Sequence, residues 1–123
     1  MARRGFTLIE LVVVLAIVAL LAAIAAPRYF KSVNTAEEKV LRENLMLTRD
    51  ALDKFYSDNA RYPASLDELV GKRYLRALPE DPVTRSTTTW ILMPPPDSRD
   101  GGVYDIRSGA EGQSRDGRPY REL

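Results

Sequence analysis

The first hydrophobic pattern in the chain is an unbroken apolar run near its start. Residues 11–26 are all Leu, Val, Ala or Ile, and Pro27 ends the run. Counted from Phe6, the stretch reaches the roughly 20 residues that a helix needs to cross a bilayer. Because backbone polar groups in lipid must be bonded within their own segment, we predict a membrane-spanning helix over residues 6–27.

A second pattern follows the proline and has helical spacing. Its apolar or buried-type positions recur at intervals of four, three, four and three residues: Leu41, Leu45, Thr48, Leu52 and Phe55. Such spacing places all of them on one face of a helix, with charged residues on the rest of its surface. We therefore predict one helix that runs from Phe6 to about Asn59. It is kinked at Pro27, because proline cannot donate the helical hydrogen bond.

Shorter elements are expected after Asn59. Pro63 excludes a continued helix at the residue before it. Ser65 and Glu68 have the spacing of a capping box, which predicts a short helix closed by Gly71, with Leu66 and Leu69 facing inward. Residues 74–82 contain two prolines and are predicted to form an ordered loop.

The last third of the chain has the composition of strands and turns. Residues 87–93 are β-branched and aromatic around Trp90, and residues 103–107 alternate in polarity. A turn at Asp100, Gly101 and Gly102 would join them as an antiparallel hairpin that packs on the long helix. Residues 108–123 are polar and lack periodicity, so we predict an irregular tail.

Composition removes several classes of function. The chain has no cysteine and no histidine, which excludes disulfides, thiol catalysis and the commonest zinc ligands and general bases. Eighteen basic residues against 17 acidic ones give no case for nucleic-acid binding. No carboxylate pair has a recognisable catalytic context, and the sequence does not predict an enzyme.

Glu10 is the informative charge, because it lies at the start of the apolar segment. An acidic side chain inside a membrane costs about 3 kcal/mol on insertion scales and indicates a function. Cleavage between Gly5 and Phe6 would create a new amino group at the membrane face. The Glu10 carboxylate of one subunit could then pair with the Phe6 amino group of the next, and this pairing would set the register of neighbouring helices in a polymer.

Two simpler interpretations compete with this one. An ordinary secretory signal would have a short apolar core and a small-x-small cleavage site, which Ala23, Ile24 and Ala25 could supply. It would leave an exported soluble binding module without Glu10, but the apolar run is too long for such a signal. The other interpretation is a generic single-span anchor that carries an incidental acid.

The segment Arg4-Gly5-Phe6-Thr7-Leu8-Ile9-Glu10, followed by the apolar run, resembles the class III signal of type IV pilins and type II secretion pseudopilins. The resemblance implies that a prepilin peptidase cuts after Gly5 and methylates the amino group of Phe6. It also implies that Glu10 is the assembly carboxylate and that Pro27 kinks the helix. The expected organisation is a leader over residues 1–5, a transmembrane and filament-core helix over 6–27, and a periplasmic domain over 28–123.

Three further segments resemble the type II secretion major pseudopilins. They are Tyr56 to Pro63 (Tyr-x-x-Asn-x-x-Tyr-Pro), Tyr74 to Pro82, and Tyr104 to Gly112. The resemblance implies an α+β, type IV pilin-like fold, in which a long kinked N-terminal helix packs on a small C-terminal antiparallel sheet.

The same resemblance implies the setting and the partners. The chain would be a single-pass protein of the bacterial inner membrane, with its N-terminus in the cytoplasm. It would form a homopolymer with copies of itself. Its further partners would be minor pseudopilins, an inner-membrane assembly platform and the prepilin peptidase. The alternative within the superfamily is a type IV pilin that serves adhesion, motility or DNA uptake. Many such pilins carry a disulfide loop, which this chain lacks.

The family's C-terminal loop binds calcium, and the resemblance extends this expectation to Ser108, Glu111 and Asp116. The sequence departs from the family pattern at two places, and both departures weaken the expectation of a calcium site. Val83 and Thr84 follow Pro82 where the family usually continues Trp-Gly, and Glu111 stands where the family usually has aspartate in a longer loop. Calcium takes six to eight oxygen ligands, so backbone carbonyls would have to complete the set.

Overall fold

The computed structural model describes residues 5–97 and 101–123, apart from the side chains at positions 30–33. The elements in chain order are α1 (Leu8–Asn59), α2 (Leu66–Gly71), β1 (Ile91–Met93), β2 (Asp105–Arg107) and a 3-10 turn (Tyr120–Glu122). This order confirms the predicted α+β class. The chain forms two compact units, one that ends at Asn34 and one that spans residues 35–123.

The first unit is the N-terminal part of α1. The helix begins at Leu8, two residues after the predicted start, and Pro27 lies inside it. Within the described ranges, α1 alone is long and apolar enough to cross a membrane, as judged by length and composition. The kink at Pro27 stays a prediction. Of the predicted leader, residues 1–4 lie outside the described residues.

The second unit is organised around the buried face of α1. Leu41, Leu45, Leu52 and Phe55 are all less than 2% exposed, as the sequence spacing predicted. Thr48 on the same face is also buried, and its hydroxyl donates to the Asn44 carbonyl at 2.8 Å. The other elements complete the core with Leu66, Leu69, Trp90, Val103 and Ile106.

The two strands pair antiparallel, as predicted, with Leu92 opposite Ile106. Both strands are shorter than the sequence pattern indicated. Before β1, the Trp90 side chain turns inward, and its indole N–H donates to the Pro79 carbonyl at 2.7 Å. Before β2, the Val103 amide donates to the Pro63 carbonyl at 2.8 Å and not to the other strand. Asp100 of the predicted turn lies outside the described residues.

Helix α2 forms where it was predicted, with Leu66 and Leu69 buried, but its ends differ from the expectation. The Ser65 side chain makes no capping bond, and Glu68 instead accepts the Ala64 amide at 2.9 Å. Gly71 does not provide the left-handed residue that ends the helix. Arg73 does, with φ of 65°.

The polar C-terminal segment is not the loose tail that its composition suggested. Ser108, Ala110 and Ser114 are buried, and Tyr120 and Leu123 pack against the hydrophobic core. The segment is held largely by polar contacts, which have no hydrophobic periodicity and therefore no signature in the sequence pattern.

Candidate functional site

The start of α1 is fixed by a local cap. The Thr7 hydroxyl accepts the Glu10 backbone amide at 3.2 Å, and the Thr7 carbonyl accepts the Leu11 amide at 3.2 Å. These bonds satisfy amide groups that the first helical turn leaves without a partner. The sequence signal for this cap is Thr7-x-x-Glu10, which has the spacing of a capping box.

Glu10 therefore lies in the first turn of α1, where the helix dipole favours a negative charge. Its side chain is exposed, and no cation among the described residues lies within ion-pair distance. Phe6 is 89% exposed one residue before the cap. The two predicted assembly residues thus lie on either side of Thr7, and both are accessible to another molecule.

The apolar part of α1 is exposed on every side. Its large hydrophobic side chains from Leu8 to Ile24 are each at least half exposed, and none of the membrane-length window is buried. A helix that is apolar all round must be covered by lipid or by other helices. The apolar side chains of the first unit are therefore suited to contact with a membrane or with other helices.

In the second unit, the three segments that carry the family resemblance contact one another. The rings of Tyr56 and Tyr62 stack with centroids 4.6 Å apart, and Tyr104 meets Tyr62 edge-on at 5.3 Å. Gly102 allows this approach, because a Cβ there would come within 3.2 Å of Tyr62. The end of α1 is thereby joined to the segment that enters β2.

The loop after α2 makes two further connections of this kind. The Tyr74 hydroxyl donates to the Asp58 carboxylate at 2.6 Å, which raises the pKa of Tyr74 because the bond favours the protonated phenol. The Ser108 hydroxyl donates to the buried Asp81 carboxylate at 2.5 Å. Asp81 also accepts the Val83 amide at 2.9 Å. These contacts make residues 74–82 the ordered loop that the prolines predicted.

The three residues predicted to bind calcium have different surroundings. Ser108 is fully buried against Asp81, and Glu111 is exposed. Asp116 accepts hydrogen bonds from the Ser114 hydroxyl and the Arg118 amide. Its carboxylate also pairs with the Arg42 guanidinium at 3.5 Å. The bond from Ser114 is the main reason that the pKa of Asp116 is lowered. The described residues contain no group of three or more acidic side chains placed to hold a metal ion. Ser108 and Asp116 thus already have protein partners for their side-chain oxygens, and the calcium site that the resemblance implies stays a prediction.

Comparison with known proteins agrees with this geometry. Residues 1–26 match the family profile described as the prokaryotic N-terminal methylation motif. Together with the long helix and the small antiparallel sheet, the match defines a pilin-like protein. The chain is 31% identical over 97 residues to the type II secretion system core protein G of Klebsiella michiganensis. The aligned region covers 66% of this chain and 68% of that protein. The chain therefore belongs to the family of type II secretion system core protein G.

Two further relatives show the range of the similarity. The core protein G of Escherichia coli K12 is 28% identical over 128 residues, covering 90% of this chain and 84% of that protein. The type IV major pilin protein PilA of Myxococcus xanthus is 39% identical over 67 residues, covering 54% of this chain and 30% of that protein. No solved structure matches the chain significantly. The resemblance inferred from the sequence is thus confirmed at the level of the family.

Proposed function

We propose that this chain is a structural subunit of the type II secretion pseudopilus. It would polymerise with copies of itself into a helical filament that drives folded proteins across the outer membrane. The observation that carries the proposal is the segment from Leu11 to Ile24, whose side chains are all apolar and which is exposed along its whole length. Such a helix is stable in a bilayer before assembly and among its copies afterwards.

Assembly requires a change at the N-terminus. Hydrolysis of the amide between Gly5 and Phe6 by a prepilin peptidase leaves a carboxyl group on Gly5 and an amino group on Phe6. The Phe6 nitrogen then takes a methyl group from a methyl donor of the peptidase and releases a proton. The new cation precedes the Thr7 cap, where it is accessible to the Glu10 carboxylate of a neighbouring subunit. Pairing offsets the cost of burying each charge in an apolar surrounding, which is several kcal/mol for an isolated ion.

The setting follows from this assignment. We propose that the chain is a single-pass protein of the bacterial inner membrane with its N-terminus in the cytoplasm. Residues 28–123 would form its periplasmic part. Its partners would be minor pseudopilins, the inner-membrane assembly platform and the peptidase. The chain itself performs no chemistry in this scheme and is a substrate of the peptidase.

The direct test is the intact mass and N-terminal sequence of the mature protein extracted from membranes. We expect a chain that starts at Phe6 and carries one extra methyl group. A soluble chain that starts at Ala26 would show cleavage of an ordinary secretory signal and would contradict the proposal. Sedimentation of filaments from lysed cells that react with an antibody to residues 35–123 then tests polymerisation separately from processing.

A type IV pilin is the second candidate, because the similarity to the Myxococcus xanthus pilin covers 54% of this chain. Deletion of the gene distinguishes the two. Loss of protein secretion with motility and adhesion intact supports the pseudopilus. Loss of surface filaments and motility with secretion intact supports the pilus.

A further inference from the structure

The segment after β2 is fastened at its beginning by a buried polar contact. The Asp81 carboxylate and the Ser108 side chain are both fully buried, and the Ser108 hydroxyl donates to Oδ2 of Asp81 at 2.5 Å. Oδ1 of Asp81 accepts the Val83 amide at 2.9 Å, and the Ser108 oxygen accepts the Ala110 amide at 3.1 Å. A buried carboxylate is tolerated when donors satisfy it, and here the protein supplies them.

The same segment is fastened further on to the surface of α1. Oε2 of Glu38 accepts the Arg115 backbone amide at 2.9 Å, while its Oε1 accepts the Arg42 guanidinium at 3.2 Å. The Arg42 guanidinium also lies 3.5 Å from Oδ2 of Asp116. A cation that the chain itself provides therefore faces the carboxylate that a metal ion would need.

We propose that residues 108–118 are held in place by these protein contacts and that the fold of this chain does not depend on calcium. Calcium requires six to eight oxygens that converge on one point. Ser108 and Asp116 already use their oxygens for protein partners, and Arg42 occupies the position of a positive charge at Asp116. Glu111 is left exposed and contributes to neither contact. This inference does not rest on the proposed role in secretion.

The test is thermal unfolding of the full-length chain in detergent, in millimolar calcium chloride and in EGTA. Trp90 is the only tryptophan of the chain and is buried beside the Asp81 loop, so its fluorescence reports on this region. We expect the two Tm values to agree within about 1 °C. A calcium site at a hundredfold excess of ligand over its Kd would raise Tm by about 10–20 °C, and such a rise would overturn the proposal.

Three variants distinguish a segment that is held by protein contacts from one that is held by calcium. Asp81→Ala leaves the buried Ser108 hydroxyl and the Val83 amide without their acceptor, and we expect Tm to fall by about 5–15 °C in both buffers. If that variant does not fold, Asp81→Asn keeps one acceptor oxygen and is expected to show a smaller fall, again in both buffers. The matched control is Glu111→Gln, which should leave Tm unchanged in both.

Arg42→Gln changes Tm in opposite directions in the two cases. If Arg42 holds Asp116, its loss lowers Tm by a few degrees in both buffers, since an exposed ion pair contributes little. If Asp116 is a calcium ligand, removal of a nearby cation strengthens calcium binding and raises Tm in calcium only. That result, or a fall of Tm for Glu111→Gln in calcium alone, would refute the proposal. Neither depends on whether the chain supports secretion.

Discussion

The Arg49 guanidinium on α1 donates to the Asp105 carboxylate on β2 across 2.7 Å, a contact between residues 56 positions apart in the chain. The same guanidinium donates to the backbone carbonyls of Ile106 at 3.0 Å and Leu123 at 2.7 Å. One side chain therefore joins the long helix, the sheet and the C-terminal segment. A planar group with several fixed donors suits this position better than an ammonium group.

Replacement of Arg49 tests this connection. We expect Arg49→Ala to lower the free energy of unfolding by about 1–3 kcal/mol, because it leaves three acceptors without their donor at a site that is only about one-third exposed. Arg49→Lys should recover part of the loss, since one ammonium cannot reach all three oxygens. Urea unfolding followed by Trp90 fluorescence measures both. Equal stability of the lysine variant and the native chain would show that charge alone matters here.

Gly109 provides a test of close packing. A Cβ at this position would lie 2.1 Å from the Thr89 carbonyl oxygen, so Gly109→Ala must displace backbone. We expect a loss of about 3 kcal/mol or more in unfolding free energy. Gly71→Ala is the matched control, because a Cβ there meets nothing within 4 Å. That substitution should be neutral or stabilise by up to about 1 kcal/mol. Equal losses in the two variants would contradict the packing around Thr89.

Glu68 should make stability depend on pH in the acidic range. A hydrogen bond from Arg61 is the largest cause that lowers the pKa of Glu68 below its ordinary value of 4.5, and a bond from the Ala64 amide adds to it. A carboxyl group whose pKa is lowered by folding stabilises the fold above its ordinary pKa. That contribution disappears as the pH falls through the lowered pKa.

Glu68→Gln is the corresponding variant. We expect it to be less stable than the native chain at neutral pH, and equally stable once the pH is below the lowered pKa of Glu68, where both side chains are uncharged. Unfolding curves recorded across this pH range measure the difference. Asp67→Asn, at an exposed position in the same turn of α2, serves as the control. A Glu68→Gln difference that is constant with pH would exclude an ionic origin.

Glu10 allows assembly to be separated from processing. Glu10→Gln keeps the shape of the side chain and removes its charge, so we expect normal cleavage after Gly5 but few or no filaments in lysed cells. Glu10→Asp keeps the charge at a shorter reach and should give an intermediate yield. Mass spectrometry of the membrane fraction measures cleavage, and immunoblots of filaments sedimented from lysed cells measure assembly. Native filament yield from Glu10→Gln would exclude a charge pair with Phe6.

The N-terminal half of the protein could be read from the sequence because its signals are local. Sixteen consecutive apolar residues indicate a helix of near-membrane length without reference to the rest of the chain, and Thr7 caps that helix through a bond within its first turn. The face that contains Leu41, Leu45 and Phe55 follows from helical periodicity, since one side of a helix must meet a core. The family motif added a prediction of the cleavage position after Gly5, which no physical pattern indicates.

The C-terminal half depended on contacts between distant positions. The sequence by itself determined that residues 87–93 and 103–107 favour strands, but only tertiary packing decided their length. Trp90 turns inward to Pro79, and Val103 bonds to Pro63. The contacts of Asp81, Ser108 and Gly109 likewise could not be predicted from the sequence. A polar or close contact between residues 20 or more positions apart leaves no periodicity along the chain. Such contacts exist only once the hydrophobic core has brought the loops together.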